Sequence, residues 1–307
     1  MSLNSKFRKL RERLSKNIKR NRHAKQTSRD LAITRQIFLN MFTEQLKEKE
    51  RYNQPKSLIK HSYKIFSQNE EDGIIREIFN RIGTTNKTFV EFGCGDGLEN
   101  NTLALLLEDW KGLWLEGSSR SVNNIKDHFS SVIDNGQLNV VEAFVTRENI
   151  NNLINAGLDT KDEEIDLLVV DIDGNDAHIF SEINVINPRV VVIEYNARFH
   201  PPVLFSVDYN PNHAWQGDAY MGASLSFLEE VCGKKGYKLV GCDLSGTNAF
   251  FVREDLTQDL FLEPFTADKH YEPSRYFLVG QTSGTVANYT AVSKILSATE
   301  SINKSRK

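Results

Sequence analysis

Apolar positions change their rhythm along the chain. Over the first 46 residues they recur at helical spacing. Phe7, Leu10, Leu14 and Ile18 form a thin stripe between Lys and Arg residues, and Leu31, Ile33, Ile37, Phe38, Met41, Phe42 and Leu46 form a second, richer pattern. From Ser67 to Arg253, short continuous apolar runs alternate with helical patterns. Beyond Asp255 the chain is mixed and loop-rich as far as Phe277, with one more helical pattern at Thr290–Ile302 and a polar tail, Ser301–Lys307, expected to be free. These shifts divide the chain into a helical extension at 1–60, a main domain at 61–255 and a C-terminal extension at 256–307.

Within the main domain, Ser67-Gln68-Asn69-Glu70 has the Ser-x-x-Glu form of a capping box. It predicts a helix with Ile74, Ile75, Ile78, Phe79 and Ile82 on its apolar face, stopped by Gly83. Strands are then expected at Thr88–Phe92, Gly112–Leu115, Leu138–Phe144, Ile165–Asp171 and Val190–Tyr195. Helices are expected between them at Thr102–Asp109, Val122–Val132, Arg147–Ala156 and Asp176–Val185. Strands that are apolar on both faces belong to a parallel sheet covered by helices on both sides, joined by right-handed crossovers. The close is different. A helix at Ser224–Lys235 leads to Tyr237–Asp243, and a Leu-Ser-Gly-Thr turn leads straight to Asn248–Arg253. Strands joined by so short a turn are antiparallel neighbours. The whole reads as an α/β, Rossmann-like class I methyltransferase fold: a seven-stranded, mostly parallel sheet closed by an antiparallel hairpin. An ordinary dinucleotide-binding Rossmann domain lacks that hairpin.

Composition allows a sizeable core. The 307 residues are 39% hydrophobic and 26% charged, which excludes a wholly disordered chain. Cys94, Cys232 and Cys242 are odd in number and show no Cys-x-x-Cys spacing, so neither a disulfide framework nor a zinc site is expected. No stretch of about 18 apolar residues predicts a membrane span, and the basic N-terminus lacks the apolar segment of a signal peptide. A cytoplasmic location is expected, with peripheral membrane association as an option. The net charge of −3 hides an asymmetry: residues 1–35 hold twelve Lys/Arg against two acids, a net of +10, and the remainder nets −13. The thin stripe in this basic arm reads either as a solvated helix or as a contact with anionic membrane or another polyanion. The richer pattern reads as packing on the body or on a second copy, which leaves a homo-oligomer open.

The strand Thr88–Phe92 runs into Gly93-Cys94-Gly95-Asp96-Gly97. Glycines at 93, 95 and 97 let the backbone turn tightly and approach a ligand closely. A dinucleotide fingerprint needs glycine where Leu98 stands, and a phosphate-binding P-loop is absent. Glu91, at the strand's end, suits a ligand bearing a cation, such as the amino acid end of S-adenosylmethionine. The next strand ends at Glu116, 19 residues past Gly97, where nucleotide folds place the acid that accepts from ribose hydroxyls. By position, Phe144 either packs on an adenine or belongs to the core.

The catalytic side is open to several readings. Asp171, Asp173, Glu194 and Asn196 follow the fourth and fifth strands, on the sheet edge that holds the glycine turn. They could offer oxygen ligands to Mg²⁺ or another divalent cation. One carboxylate, Asp173 or Glu194, could instead act as general base without a metal. Asp173, Asn175 and Asp176 could also merely cap the next helix. Asp171, Asp173, Asn175 and Glu182 mimic the spacing of a calcium hand, but Asp176 stands where that loop needs glycine and a strand precedes it. A long loop, Ala197–Gly222, then carries Arg198, His200, Phe205, Tyr209, His213, Trp215 and Tyr220. Long loops in compact domains are usually functional. His200 and His213 are candidate bases, and aromatics mixed with His and Arg suit a polar ring such as a sugar.

The runs Ser67-Gln68-Asn69-Glu70-Glu71-Asp72-Gly73, Val90-Glu91-Phe92-Gly93-Cys94-Gly95-Asp96-Gly97-Leu98-Glu99-Asn100-Asn101-Thr102 and Asp171-Ile172-Asp173-Gly174-Asn175-Asp176 resemble FkbM-like S-adenosylmethionine-dependent methyltransferases. They are similar, more narrowly, to a subgroup often found with surface-polysaccharide genes. The resemblance covers about Tyr63 to Glu254 and implies S-adenosylmethionine as cofactor and O-methylation as the chemistry. It assigns Glu91, Gly93, Gly95, Gly97 and Glu116 to the cofactor, with Asn101 in the same run and Asp171 facing the same edge. Many members carry Glu-Gly where this chain has Asp173-Gly174, so catalytic roles for Asp173, Glu194 or His200 do not follow from it. The expected activity is methyl transfer to a hydroxyl of a glycan or related small polar acceptor. A non-catalytic methyltransferase-fold scaffold docked through the basic arm is the alternative. A nucleic-acid methyltransferase is disfavoured, because the body is acidic and Asn196 is followed by Ala197, not Pro.

Overall fold

The computed structural model describes residues 3–158, 163–278 and 288–306, with side chains described over 25–158, 163–278 and 288–301. The chain forms two compact units, residues 1–49 and 50–307. The first is one continuous α-helix, α1 (Leu3–Lys47), which joins the two helical patterns of the sequence. The stripe of Phe7, Leu10, Leu14 and Ile18 lies outside the described side chains. Of the second pattern, Leu31, Ile33, Ile37, Phe38 and Met41 are exposed.

The second unit opens with α2 (Glu71–Ile82), whose Ile74, Ile75, Ile78 and Phe79 are buried as their spacing requires. The capping box does not form. Asp72, inside the helix, accepts instead from the backbone N–H groups of Ile65, Phe66 and Ser67 and from the Ser67 hydroxyl, at 2.6 to 2.9 Å. One carboxylate that collects four donors outcompetes a serine cap, so the helix begins at Glu71.

Strands and helices then alternate: β1 (Thr88–Phe92), β2 (Lys111–Glu116), α3 (Ser119–His128), α4 (Ser130–Asp134), β3 (Leu138–Glu142), α5 (Ile150–Gly157), β4 (Glu164–Val170), α6 (Asp176–Glu182), β5 (Asn187–Glu194), α7 (Leu225–Lys234), β6 (Tyr237–Cys242) and β7 (Asn248–Arg253). The segment expected as a helix after β1 is a 3-10 turn, Leu103–Glu108, ended by Asp109 in the left-handed region. The helix expected at 122–132 is broken in two at Phe129. The short α8 (Glu254–Thr257) and α9 (Ala267–His270) follow, then α10 (Tyr289–Arg306). The tail expected to be free from Ser301 is thus helical as far as Arg306.

All seven strands form one sheet in the order β3-β2-β1-β4-β5-β7-β6. Strands β1 to β5 are parallel, and β7 runs antiparallel to both β5 and β6. This is the seven-stranded, Rossmann-like class I methyltransferase sheet that the hairpin predicts. The turn between β6 and β7 is fixed by Asp243, whose carboxylate accepts from Thr247 N–H, Asn248 N–H and the Ser245 hydroxyl. Strand alternation sends Phe89, Leu167, Val169, Val190 and Val192 into one apolar layer and Val90, Leu168, Val170, Val191 and Ile193 into the other. Both faces are therefore covered, and the carboxyl edge of the parallel strands is left to carry loops. The order reverses between β1 and β4, which makes the edge above that pair the switch point where open α/β sheets bind ligands. Among the described residues, no helix is long and apolar enough to cross a membrane.

Candidate active site

A cavity of about 560 Å³ lies at this switch point, within the size range of small-molecule sites. Gly93, Gly95, Glu116, Phe144, Asp171 and Asp173 line it, together with Ser118, Asn175, His213 and Trp215.

The glycines of the turn after β1 have separate jobs. A Cβ on Gly93 would lie 1.7 Å from the Asp171 carbonyl oxygen, so the chain leaving β1 can pass the chain leaving β4 only without a side chain. Gly95, at φ +57°, would meet no atom within 4 Å and opens on the cavity. Gly97 turns away from the cavity, and a Cβ there would press on Trp114, Ile125 and Phe129. It closes the core beneath the turn.

Glu91 does not line the cavity. Strand alternation points it to the face shared with Phe89, where it is fully buried. There it accepts from Asn100 Nδ2 (2.8 Å), Asn101 N–H (2.9 Å) and the Thr102 hydroxyl (2.5 Å). Trp114 Nε1 in turn donates to Thr102 Oγ1 at 2.7 Å. Burial pushes the Glu91 carboxyl up to about 7, against the pull of these donors. Glu91 and Asn101 thus order the segment after the glycine turn rather than face the cavity.

Glu116 ends β2 at the cavity's edge, beside the glycine turn. Its Oε2 accepts from Gly95 N–H at 2.9 Å and its Oε1 from Ser118 N–H at 2.8 Å. Two backbone donors on different elements fix the plane of the carboxylate and leave each oxygen a further lone pair. Beside it, Phe144 is 53% exposed, which rules out the core reading. The ring stands against Gly117, where even a Cβ would reach Phe144 Cδ2 at 3.4 Å.

After β4 the chain makes a sharp turn. Asp176, fully buried, accepts from Ile172 N–H and Gly174 N–H, both at 2.8 Å, and Asp173 sits at φ +58°. Helix capping by Asp173 is therefore replaced by turn closure by Asp176. Asp171, Asp173 and Glu194 each bring a carboxylate oxygen within 4.8 Å of the others. Burial, followed by the neighbouring charges of Asp176 and Asp173, holds the Asp171 carboxyl well above the ordinary range. Burial and then Asp171 do the same to Glu194. Desolvation also raises Asp173, with His213 acting against it. Glu194 Oε2 is buried without a hydrogen-bond partner. The trio is thus a focus of unbalanced negative charge that a cation or a shared proton relieves.

Asn196 and His200 depart from expectation as well. Asn196 is not offered to this trio, because its Nδ2 donates to the carbonyls of Ala219 and Met221 and its Oδ1 accepts from Arg198 N–H. It holds the long loop in place. His200 is exposed and tilts against Tyr271, with ring centroids 4.7 Å apart, outside the cavity lining. The histidine that reaches the cavity is His213. Its ring lies over Gly174, where a Cβ would come within 2.1 Å of the imidazole, and its Nε2 is buried without a partner. The loop that delivers it is pinned by Asn175 Nδ2 to Asn210 O (2.7 Å) and by His178 Nε2 to Val207 O (2.7 Å). That long-range seating of His213 on a glycine leaves no local mark in the sequence.

No protein-family model matches the sequence, and no curated protein matches it. Among solved structures, the chain is similar to the magnesium protoporphyrin IX methyltransferase of Synechocystis PCC 6803 with bound SAM, at 12% identity over 72% of this chain and 96% of that one, TM-score 0.39. It is also similar to the methyltransferase domain of bacterial CtHen1-C, at 17% identity over 60% of this chain and 97% of that one, TM-score 0.37. A third is a SAM-dependent methyltransferase from Aquifex aeolicus, at 12% identity over 60% and 88%, TM-score 0.35. The fold rests on the strand order rather than on these scores.

Proposed function

We propose that the chain is an S-adenosylmethionine-dependent methyltransferase acting on a hydroxyl of a glycan or related small polar acceptor. The observation that carries this is the clamp on Glu116, whose carboxylate is held by Gly95 N–H and Ser118 N–H at the cavity edge, next to the exposed Phe144 ring. The residues fit a nucleoside bearing a short zwitterionic chain. Glu116 has lone pairs for two vicinal hydroxyls, Phe144 offers a face for a base, and the open side of Gly95 leaves room where any side chain would intrude. When bound, S-adenosylmethionine supplies an electrophilic methyl on a sulfonium.

The rest falls to the chain's own groups. Methyl transfer needs an acceptor oxygen held in line, and much of the rate can come from positioning. Asp171 and Asp173 line the cavity, with a Glu194 oxygen within 4.8 Å of theirs, and offer acceptors to a substrate hydroxyl; burial and mutual repulsion raise the Asp171 and Glu194 carboxyls, which makes their carboxylates stronger proton acceptors. His213 and Trp215, from the long loop, complete the cavity wall beside Asp173. The FkbM-like subgroup and the O-methyl outcome rest on the three sequence runs and on this array of oxygens. Calorimetry with S-adenosylhomocysteine tests the reading: one-to-one binding that Glu116→Ala weakens supports it, and no binding favours the non-catalytic scaffold.

A second reading concerns a divalent cation. The acidic trio and the unpartnered Glu194 Oε2 fit hard-cation ligation by Asp171, Asp173 and Glu194, without Asn196. Such an ion would hold an acceptor hydroxyl and lower its pKa. Mg²⁺ or Mn²⁺ would then raise the melting temperature at pH 8, and Glu194→Gln would abolish the rise.

A further inference from the structure

The first unit carries a feature that methyl transfer does not use. Leu31, Phe38 and Met41 on α1 are 65%, 66% and 68% exposed, and Ile33 and Ile37 are exposed beside them. Phe38 stacks on Phe42 with ring centroids 6.4 Å apart. At about 100° per residue, the exposed Ile33, Ile37, Met41, Phe38 and Leu31 fall in that angular order across an arc of roughly 160°. The same uninterrupted helix runs back into the stretch where residues 1–35 hold twelve Lys/Arg against two acids.

We infer that α1 docks in the plane of an anionic lipid bilayer, with the 31–42 face in the acyl boundary and the basic N-terminal stretch on the headgroups. Two observations select lipid over a second copy of the chain. The arc is far wider than the seam through which one helix meets another, and suits a flat apolar medium. The face also spans only about 18 Å of helix, roughly three turns, which is short for the approximately 800 Å² per partner of a standard-size dimer. Charge then chooses the lipid: a net of +10 on one arm of a chain whose other residues net −13 gains most from a negative surface. The proposal stands apart from the cofactor reading, since none of these residues belongs to the cavity.

The test is co-flotation of the full chain with vesicles of phosphatidylcholine alone and with one third phosphatidylglycerol, at low and high salt. The expected result is at least a tenfold gain in bound fraction from the anionic lipid, reversed by salt. Phe38→Ser with Met41→Ser should lose binding about tenfold, while Phe38→Leu with Met41→Leu should retain it. Lys25→Glu with Arg29→Glu should lose the dependence on anionic lipid in part. Helix content by circular dichroism checks that each variant folds. Equal recovery with neutral and anionic vesicles overturns the proposal, as does a serine variant that binds like the parent. A dimer in light scattering that Phe38→Ser with Met41→Ser dissolves would assign the face to a second copy and overturn it too.

Discussion

Glu116→Ala removes a side chain held in place by backbone donors from two segments beside the cavity. In the parent chain its carboxylate accepts from Gly95 N–H at 2.9 Å and Ser118 N–H at 2.8 Å. A bound ribose would add two hydroxyl donors to the same oxygens. Hydrogen bonds to a charged acceptor contribute about 1.5–3 kcal/mol each, and losing the acceptor also frees the Gly95 turn to move. Two such bonds come to about 3–6 kcal/mol, and water that replaces part of them at this half-exposed position leaves a loss of roughly 2–4 kcal/mol in cofactor affinity, or a dissociation constant about 30- to 1000-fold weaker. The fold should lose little, because the side chain is only half-buried at the sheet edge. Isothermal titration with S-adenosylhomocysteine measures the affinity, and urea denaturation controls for stability. Glu142→Gln, an exposed acid on the neighbouring strand, serves as the matched control. An affinity for Glu116→Ala within threefold of the parent would refute the assignment of this clamp to ribose.

Other consequences reach beyond the clamp. Gly93→Ala should cost more than about 3 kcal/mol in urea denaturation or prevent folding, since its Cβ would fall 1.7 Å from a carbonyl oxygen at φ +73°; a near-parental midpoint would deny that close passage. Stability should fall as pH rises. A buried carboxyl with a raised folded pKa keeps protons that the unfolded chain has released, so its contribution is present below the unfolded value and is lost as pH climbs through the folded one. Glu91, at about 7 against an ordinary 4.5, then costs roughly 2–3 kcal/mol between pH 5 and pH 8. Asp243, at about 7, and Asp176, at about 6, act in the same direction. Urea midpoints at pH 5.5 and 8 check this, and a midpoint that rises with pH contradicts it. Finally, Asn175→Ala or Asn196→Ala should hasten limited proteolysis within 197–222, because each removes hydrogen bonds that pin that loop; unchanged cleavage would mean that the loop is held elsewhere.

Much of this architecture is written locally. Both-face apolar runs gave β1 and β4, and the four-residue turn before Asn248 gave the antiparallel close, because sheet burial and short turns leave direct traces in sequence. The position of Glu116, at the end of β2 beside the glycine turn, was legible for the same reason, as a strand-end acid at a set distance from that turn. Where competition among partners decides, the pattern misleads. Ser67 reads as a helix cap until Asp72 collects four donors. Glu91 reads as a ligand group until strand parity buries it behind the turn. His213 could not be preferred over His200, since the choice depends on which histidine finds Gly174 across a loop of 38 intervening residues. Asn196 sits at a strand end like a ligand, yet its amide is committed to Ala219 and Met221.

The most direct measurement is a crystal structure of the full chain with S-adenosylhomocysteine. The expected result is the nucleoside in the cavity, its ribose hydroxyls on Glu116, its base against Phe144 and its amino acid end along Gly93–Gly95. A ligand bound elsewhere, or a cavity that stays empty at saturating ligand, would contradict the proposed chemistry while leaving the fold in place.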